Sequence, residues 1–225
     1  MAKRNVFVSD LNSDNLVRDE MVEFQWYPGF AKSQKQKSIA SLHENFKKEN
    51  KELKVLEIST SSTEKLGILL SAFNLRIIDK NNRDRGSVES VFQSSKKFEN
   101  GGPYKDIQSK SSIEAKKDIR LKNSGKLVCF VYKDEEWGLE PKTHFYDWIY
   151  MNTLHLNKQL AEEIIKYDAF TDIEFNPQKS INCQARSAAL YVSLYRSNQL
   201  EKVLSSKSEY LKFINRDNDE QLSLL

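Results

Sequence analysis

Between residues 31 and 52 the apolar positions Ile39, Leu42 and Phe46 recur at spacings of three and four among lysines and glutamines. This spacing predicts an amphipathic helix with a lysine-rich outer face. Leu53 to Ser59 then reads as a short strand, Arg76 to Asp79 as another, and the polar stretch 80–86 as the turn before a helix over about residues 87–98. Gly-Gly-Pro at 101–103 stops that helix. After a polar, lysine-rich connection, the β-branched and aromatic run Leu127 to Tyr132 predicts a buried strand. Residues 144–167 read as one broken helix or two. Phe170 to Asn176 alternates as a strand that Pro177 ends, and Ser180 opens a long helix carrying Ala188, Leu190, Val192 and Leu194. From about Asn215 the chain is polar and is expected to fray. Helices and strands mix without regular alternation, without an internal repeat, and without the GxGxxG or GxxxxGK loops of a parallel nucleotide-binding sheet. The fold class expected is α+β, helix-rich, in a single domain over residues 1–225.

Composition narrows the setting. The 225 residues are 39% hydrophobic and 30% charged, with a formal charge of +3, as in soluble globular proteins. The longest uncharged apolar stretch, Leu66 to Leu75, spans ten residues, against the roughly 20 a bilayer crossing needs. Lys3 and Arg4 are followed by Asn-Val-Phe-Val-Ser-Asp rather than an apolar leader segment, so a cytoplasmic location is expected. Cys129 and Cys183 sit in no CxxC or Cys/His arrangement, and His43, His144 and His155 have no partner at metal-ligand spacing. Neither a disulfide framework nor a metal or other cofactor is expected. The net charge is too small to imply nucleic-acid binding, which depends on local clusters. One such cluster joins Lys32, Lys35 and Lys37 to the rings of Trp26 and Tyr27, either as a DNA-contacting surface or as a solvated helix face.

The predicted helix 87–98 sorts into three stripes at about 100° per residue. Val88, Val91, Phe92 and Phe98 form a core stripe, and Ser90, Ser94 and Lys97 one that water could cover. Glu89, Gln93 and Lys96 fall together beside Phe92. This third stripe offers an acid/base group, an amide orienter and an amine on one wall. The competing reading is a solvated stripe, its charge pairing worth a few tenths of a kcal/mol. Asp172 and Glu174, two apart in the predicted strand, point to one face and could assist hydrolysis or bind ribose hydroxyls, or simply form a wet face. Trp148, in the aromatic cluster 145–150, can stack on a base or pack a core. Phe73, in the turn Leu70-Ser-Ala-Phe73 that also holds Ser71, is a candidate pocket wall. The loop from Asn100 through Gly102 to Tyr104 could bring backbone amides to a pyrophosphate or merely end the helix. Ser180 to Asn182 offers free N–H groups at a helix start, against a plain Ser cap.

The turn Leu70-Ser-Ala-Phe73 followed by Ser87 to Lys96 resembles the two signature segments of the NADAR superfamily, where an LSNF-like turn precedes an EHxxQxxK-like helix. Glu89, Gln93 and Lys96 match that pattern, and Ser90 stands where it commonly has His. Asp147-Trp148, the 172–174 segment and the helix 182–196 resemble later segments of the superfamily, which extends the resemblance over about residues 53–197. Residues 1–52 then form a branch-specific segment and helix, and residues 198–225 a C-terminal helix and tail. The wording of residues 26–38, 98–104 and 173–185 is similar to the branch found as antitoxin beside guanine-modifying DarT toxins. The resemblance implies removal of ADP-ribose from guanine bases of DNA, with ADP-ribosylated DNA as substrate and a DarT-type toxin as functional partner. It implies Glu89, Lys96 and Asp172 as catalytic residues. Ser71, Phe73, Gln93, Gly102, Tyr104, Trp148, Glu174 and Asn182 would bind substrate. Cleaving a ribosyl C–N bond develops positive charge at the anomeric carbon, which favours a nearby carboxylate, and the leaving base needs a proton; Glu89 is the candidate for that role. Lys96 could attack the anomeric carbon and form a Schiff base after ring opening, or hold a phosphate as a cation. A metabolite hydrolase and a non-catalytic antitoxin remain as alternatives.

Overall fold

The computed structural model describes residues 1–79, 81–176 and 181–222, with the side chains of the last helix described as far as Arg216. It opens with a hairpin that the sequence reading did not anticipate: β1 (Ala2–Ser9) pairs with β2 (Val17–Phe24) in unbroken antiparallel register from Ala2 opposite Phe24 to Ser9 opposite Val17. Strand alternation sends Val6, Val8, Val22 and Phe24 to one face, where α1 (Lys32–Glu49) covers them with Ile39, Leu42 and Phe46. That helix matches its predicted span. Phe7 and Val17 turn to the other face and join the larger core.

Three further segments extend this framework. The strand expected over 53–59 is β3 (Val55–Glu57), and a short helix, α2 (Lys65–Leu69), precedes the 70–73 turn. Next, β4 (Arg76–Ile78) pairs with β5 (Asp84–Ser87), so the second half of the predicted 80–86 turn is a strand. Lys80 lies outside the described residues. Helix α3 (Val88–Ser94) runs directly into β6 (Lys96–Phe98). Two short helices, α4 (Ser112–Lys116) and α5 (Arg120–Asn123), lead to β7 (Leu127–Tyr132), which occupies its predicted span between β6 and β8 (Glu135–Trp137). Half-exposed Val128 shows that β7 is less buried than expected. The helical stretch 144–167 is two helices, α6 (His144–Leu156) and α7 (Lys158–Ile164). A short strand, β9 (Ala169–Thr171), lies between β1, antiparallel to it, and β3, parallel to it, giving a sheet of order β2-β1-β9-β3.

The strand expected over 170–176 therefore stops at Thr171, and residues 173 and 174 turn. Pro177 and Ser180 lie outside the described residues, and the helix they were expected to precede, α8 (Gln184–Arg196), begins later. Its Ala185, Ala188, Ala189, Leu190, Val192 and Leu194 are buried, so the small residues let it lie close against the sheet and α6. Finally α9 (Leu200–Leu204) leads to α10 (Lys207–Leu222), which continues as helix past the point where fraying was expected. The architecture is α+β, and among the described residues no helix is long and apolar enough to cross a membrane.

Candidate functional site

A cavity of about 700 Å³ opens where α3, β6, the 71–73 turn, the segment after β9 and the start of α6 converge. Its floor depends on how α3 begins. The Ser87 side chain accepts the Ser90 N–H at 3.0 Å, capping the helix, and also bonds the Ser112 hydroxyl at 2.7 Å. The 70–73 turn holds the same end, since Glu89 N–H donates to the Ala72 carbonyl at 2.9 Å. Two consecutive serines then end the helix: both Ser94 and Ser95 hydroxyls donate to the Val91 carbonyl, at 2.9 and 2.8 Å, competing with the main-chain ladder.

Lys96 is therefore not on the helix, which corrects the helical-wheel reading. It is the first residue of β6, opposite Phe130 of β7. Strand alternation sends Lys96 to the cavity and Lys97 to the other face, where Lys97 pairs with Glu136 at 2.8 Å. Ser90 and Ser94, expected on a wet stripe, are buried, whereas Val88, Val91, Phe92 and Phe98 are buried as expected. The Ser90 hydroxyl donates to the Ser87 carbonyl at 3.1 Å and lies outside the cavity wall.

Glu89, 6% exposed, receives the Gln93 amide at 2.9 Å and has Lys116 Nζ at 3.9 Å. Lys116 also lies over the Phe73 ring, and Lys96 Nζ lies 4.9 Å above the Phe92 ring. Burial lowers the Lys96 amine from the usual lysine range; Glu89 opposes that shift, and Lys116 adds to it.

The opposite wall carries Asp172. Its Oδ1 accepts the N–H groups of Glu174 and Phe175 at 3.0 and 3.1 Å, and its Oδ2 accepts the Gln184 amide at 2.9 Å. Burial, and then the charge of Glu57, push this carboxyl up to about 8, against the bonds that favour its ionised form. Asp172 and Glu174 reach the cavity from a turn rather than from one strand face. Burial raises Glu174, but hydrogen bonds from Lys35 at 2.9 Å, Ser61 at 2.7 Å and Thr60 at 3.3 Å outweigh it, leaving a net lowering.

The cavity thus brings together Ser71, Phe73, Glu89, Gln93, Lys96, Asp172, Glu174 and Asn182. Ser180 lies outside the described residues, and Asn182 precedes α8 by two positions rather than starting it. Three expected residues lie elsewhere. Trp148 packs on Trp137 and Tyr210, at 5.4 and 5.1 Å between ring centroids. Tyr146 of the same aromatic cluster lines the cavity instead, because two helical positions differ by about 200°. The Tyr104 hydroxyl bonds Ser124, and Gly102 passes behind the Lys96 backbone rather than facing the cavity.

Sequence reasoning missed Gln184. Its carbonyl accepts the Ala72 N–H at 2.6 Å, while its amide donates to the Ile58 carbonyl at 2.7 Å and to Asp172. It ties the turn that holds α3 to the opposite wall, and with Arg186 and Ser187 sharing its turn no local pattern singled it out. Lys116 was missed because its neighbours in sequence carry no site residue. Among the described residues there is no group of three or more His, Cys, Asp or Glu placed to hold a metal ion. A family model described as DarT1-associated NADAR antitoxin matches residues 2–223. No curated protein matches the chain.

Proposed function

The chain belongs to the DarT1-associated NADAR antitoxin family, and from that premise we propose that it is a DNA ADP-ribosylglycohydrolase, releasing ADP-ribose from guanine and so reversing a DarT-type toxin. The observation that carries this reading is the joint placement of Glu89, Lys96 and Asp172 on one cavity of about 700 Å³, within the size range of sites that enclose a nucleotide-sized ligand.

The chemistry follows from their settings. As the glycosidic C–N bond breaks, its electron pair passes to the guanine nitrogen and positive charge grows at the anomeric carbon. Glu89, flanked by Lys116 and fixed by Gln93, is a carboxylate positioned to stabilise that charge. Burial beside Phe92 raises the neutral fraction of the Lys96 amine, which favours attack on the anomeric carbon over a role as a permanent phosphate-binding cation. Phe73 and Tyr146 supply apolar walls for a base or ribose.

The test is release of ADP-ribose from a single-stranded oligonucleotide bearing one ADP-ribosylated guanine. Glu89→Gln and Lys96→Ala should each slow release by on the order of 100-fold or more, and borohydride should trap an adduct on the parent but not on Lys96→Ala. A folded parent that releases nothing yet binds the uncleaved oligonucleotide would instead be a binding antitoxin.

A further inference from the structure

Three of the buried tyrosines spend their hydroxyls within the protein. Tyr150 donates to the Leu70 carbonyl at 2.9 Å, Tyr210 donates to the His144 carbonyl at 2.8 Å, and Tyr191 bonds His155 at 3.3 Å. Tyr146 differs from them. It is 6% exposed and lines the cavity, and among the described residues its hydroxyl has no hydrogen-bond partner. A buried donor left without a partner is uncommon, because the water it gave up on folding is not replaced. The ring that carries it is fixed, edge-on to Phe92 with centroids 5.3 Å apart and stacked on Tyr150 at 6.4 Å. Since the phenol oxygen lies on the ring axis, packing of the ring also fixes the hydroxyl.

Glu89 presents the complement. Its Oε1 accepts the Gln93 amide at 2.9 Å and lies 3.9 Å from Lys116 Nζ, while its Oε2 takes no hydrogen bond from any described residue. The Tyr146 hydroxyl is near enough to Glu89 and Asp172 for the charge of each to act on it, yet it bonds neither. Burial, and then the charge of Glu89, hold this phenol well above the usual tyrosine range, so it keeps the proton it can donate. An unspent donor and an unspent acceptor, near one another and unjoined, are together satisfied by a hydroxyl group, which accepts one hydrogen bond and donates another. A phosphate oxygen has no proton for Glu89 to accept, and its charge is repelled by Glu89 and Asp172.

We propose that Tyr146 is a specificity-determining residue: its hydroxyl donates to the 2′-hydroxyl of the ribose being released, and that hydroxyl donates in turn to Glu89 Oε2. This assignment rests on the glycohydrolase reading and deepens it. Glu89 there stands beside the anomeric carbon, so the substrate hydroxyl within its reach is the one on the adjoining carbon. As positive charge grows at the anomeric carbon, the bond from this hydroxyl to the carboxylate strengthens, and the contact favours the transition state over the bound substrate. No proton leaves Tyr146, and attack by Lys96 proceeds as before. The same pair of groups explains how a guanine that carries two sugars is cut from only one. The deoxyribose of DNA lacks the 2′-hydroxyl and would leave both Tyr146 and Glu89 unmet.

Three substrates test this with Tyr146→Phe, which keeps the ring against Phe92. They are the ADP-ribosylated oligonucleotide, its counterpart whose guanine-linked ribose lacks the 2′-hydroxyl, and a nitrophenyl ADP-riboside, which has that hydroxyl but neither guanine nor DNA. The variant should lower kcat/KM by roughly 10-fold to 100-fold on the first and third and leave it within about twofold on the second. Its melting temperature should equal or exceed the parent's, because no bond within the protein is lost. An equal fall on all three substrates, or a fall on none, overturns the assignment. A fall confined to the ribosyl oligonucleotide also overturns it, by giving the Tyr146 hydroxyl to guanine or the strand, and so does a lowered melting temperature, by placing it in a structural bond. A folded parent that cleaves none of the three overturns the glycohydrolase reading itself. Affinity of parent and variant for the two uncleaved oligonucleotides then decides Tyr146: a loss confined to the ribosyl strand supports it, and an equal loss on both overturns it.

Discussion

Gly102 acts on the cavity without touching it. Its φ is +77°, and a Cβ built there would stand 2.4 Å from the Lys96 carbonyl oxygen. Gly102→Ala therefore meets both left-handed strain of about 1 kcal/mol and a backbone collision, and it should shift Lys96. Chemical denaturation should show reduced stability, and release of ADP-ribose should fall; unchanged stability and turnover would refute this coupling. Asp172 carries a cost of its own. Its folded pKa of about 8 lies above the ordinary 3.8, so the folded state holds the proton longer than the unfolded chain does. The stability this gives is fully present below about pH 4 and is lost as the pH rises toward 8. The melting temperature of Asp172→Asn should therefore fall less between pH 4 and pH 8 than that of the parent. His43 works in the other direction: burial lowers it from 6.5 to about 4, so it contributes stability that is lost on acidification through that window.

At the scale of elements, the junction of α3 and β6 decides the geometry of the site. Ser87 caps α3 and bonds Ser112, so Ser87→Ala should cost about 1 kcal/mol for the cap and also lower kcat by loosening Glu89. A variant with lower stability and full kcat at a temperature where it is folded would separate the cap from the site. The same junction shows how far the residues themselves could be read. Helix α1 and strand β7 were legible because their apolar spacing runs unbroken over a full element. Glu89, Gln93 and Lys96 were placed together correctly for a partly wrong reason: α3 stops after Ser94, and Lys96 meets Glu89 through strand alternation. Nothing in helical periodicity signals the two serines that end α3 by bonding the Val91 carbonyl. The β1–β2 hairpin was missed because Val22 and Phe24 alternate with charged residues in a segment read only for a leader. Trp148 and Tyr146 exchanged places because adjacent aromatics leave the phase of α6 undetermined until its packing partners are known.

Across the whole molecule, the N-terminal segment meets the cavity through Lys35, whose ion pair with Glu174 joins α1 to the wall that carries Asp172. That ion pair reassigns the basic cluster. Lys35 is engaged, and Trp26 is held between Phe24, 6.3 Å away, and Arg4 over its ring at 5.6 Å, so neither is presented to a nucleic acid. Lys32 and Lys37 remain exposed, as do Tyr27 and the fully exposed ring of Phe30. Exposed cations and rings on the segment that Lys35 ties to the cavity wall suit a single strand leaving the site, with phosphates on the lysines and a base on the ring. If the substrate is ADP-ribosylated DNA, Lys32→Gln with Lys37→Gln should raise KM for the oligonucleotide far more than for the nitrophenyl ADP-riboside. It should also flatten the dependence of log affinity on log salt by roughly 0.7 for each phosphate that is no longer neutralised. Phe30→Ala should weaken oligonucleotide binding by about 1–3 kcal/mol while leaving that salt slope unchanged, because stacking releases no counterions. Identical KM changes for both substrates would instead mean that the strand leaves the cavity by another side.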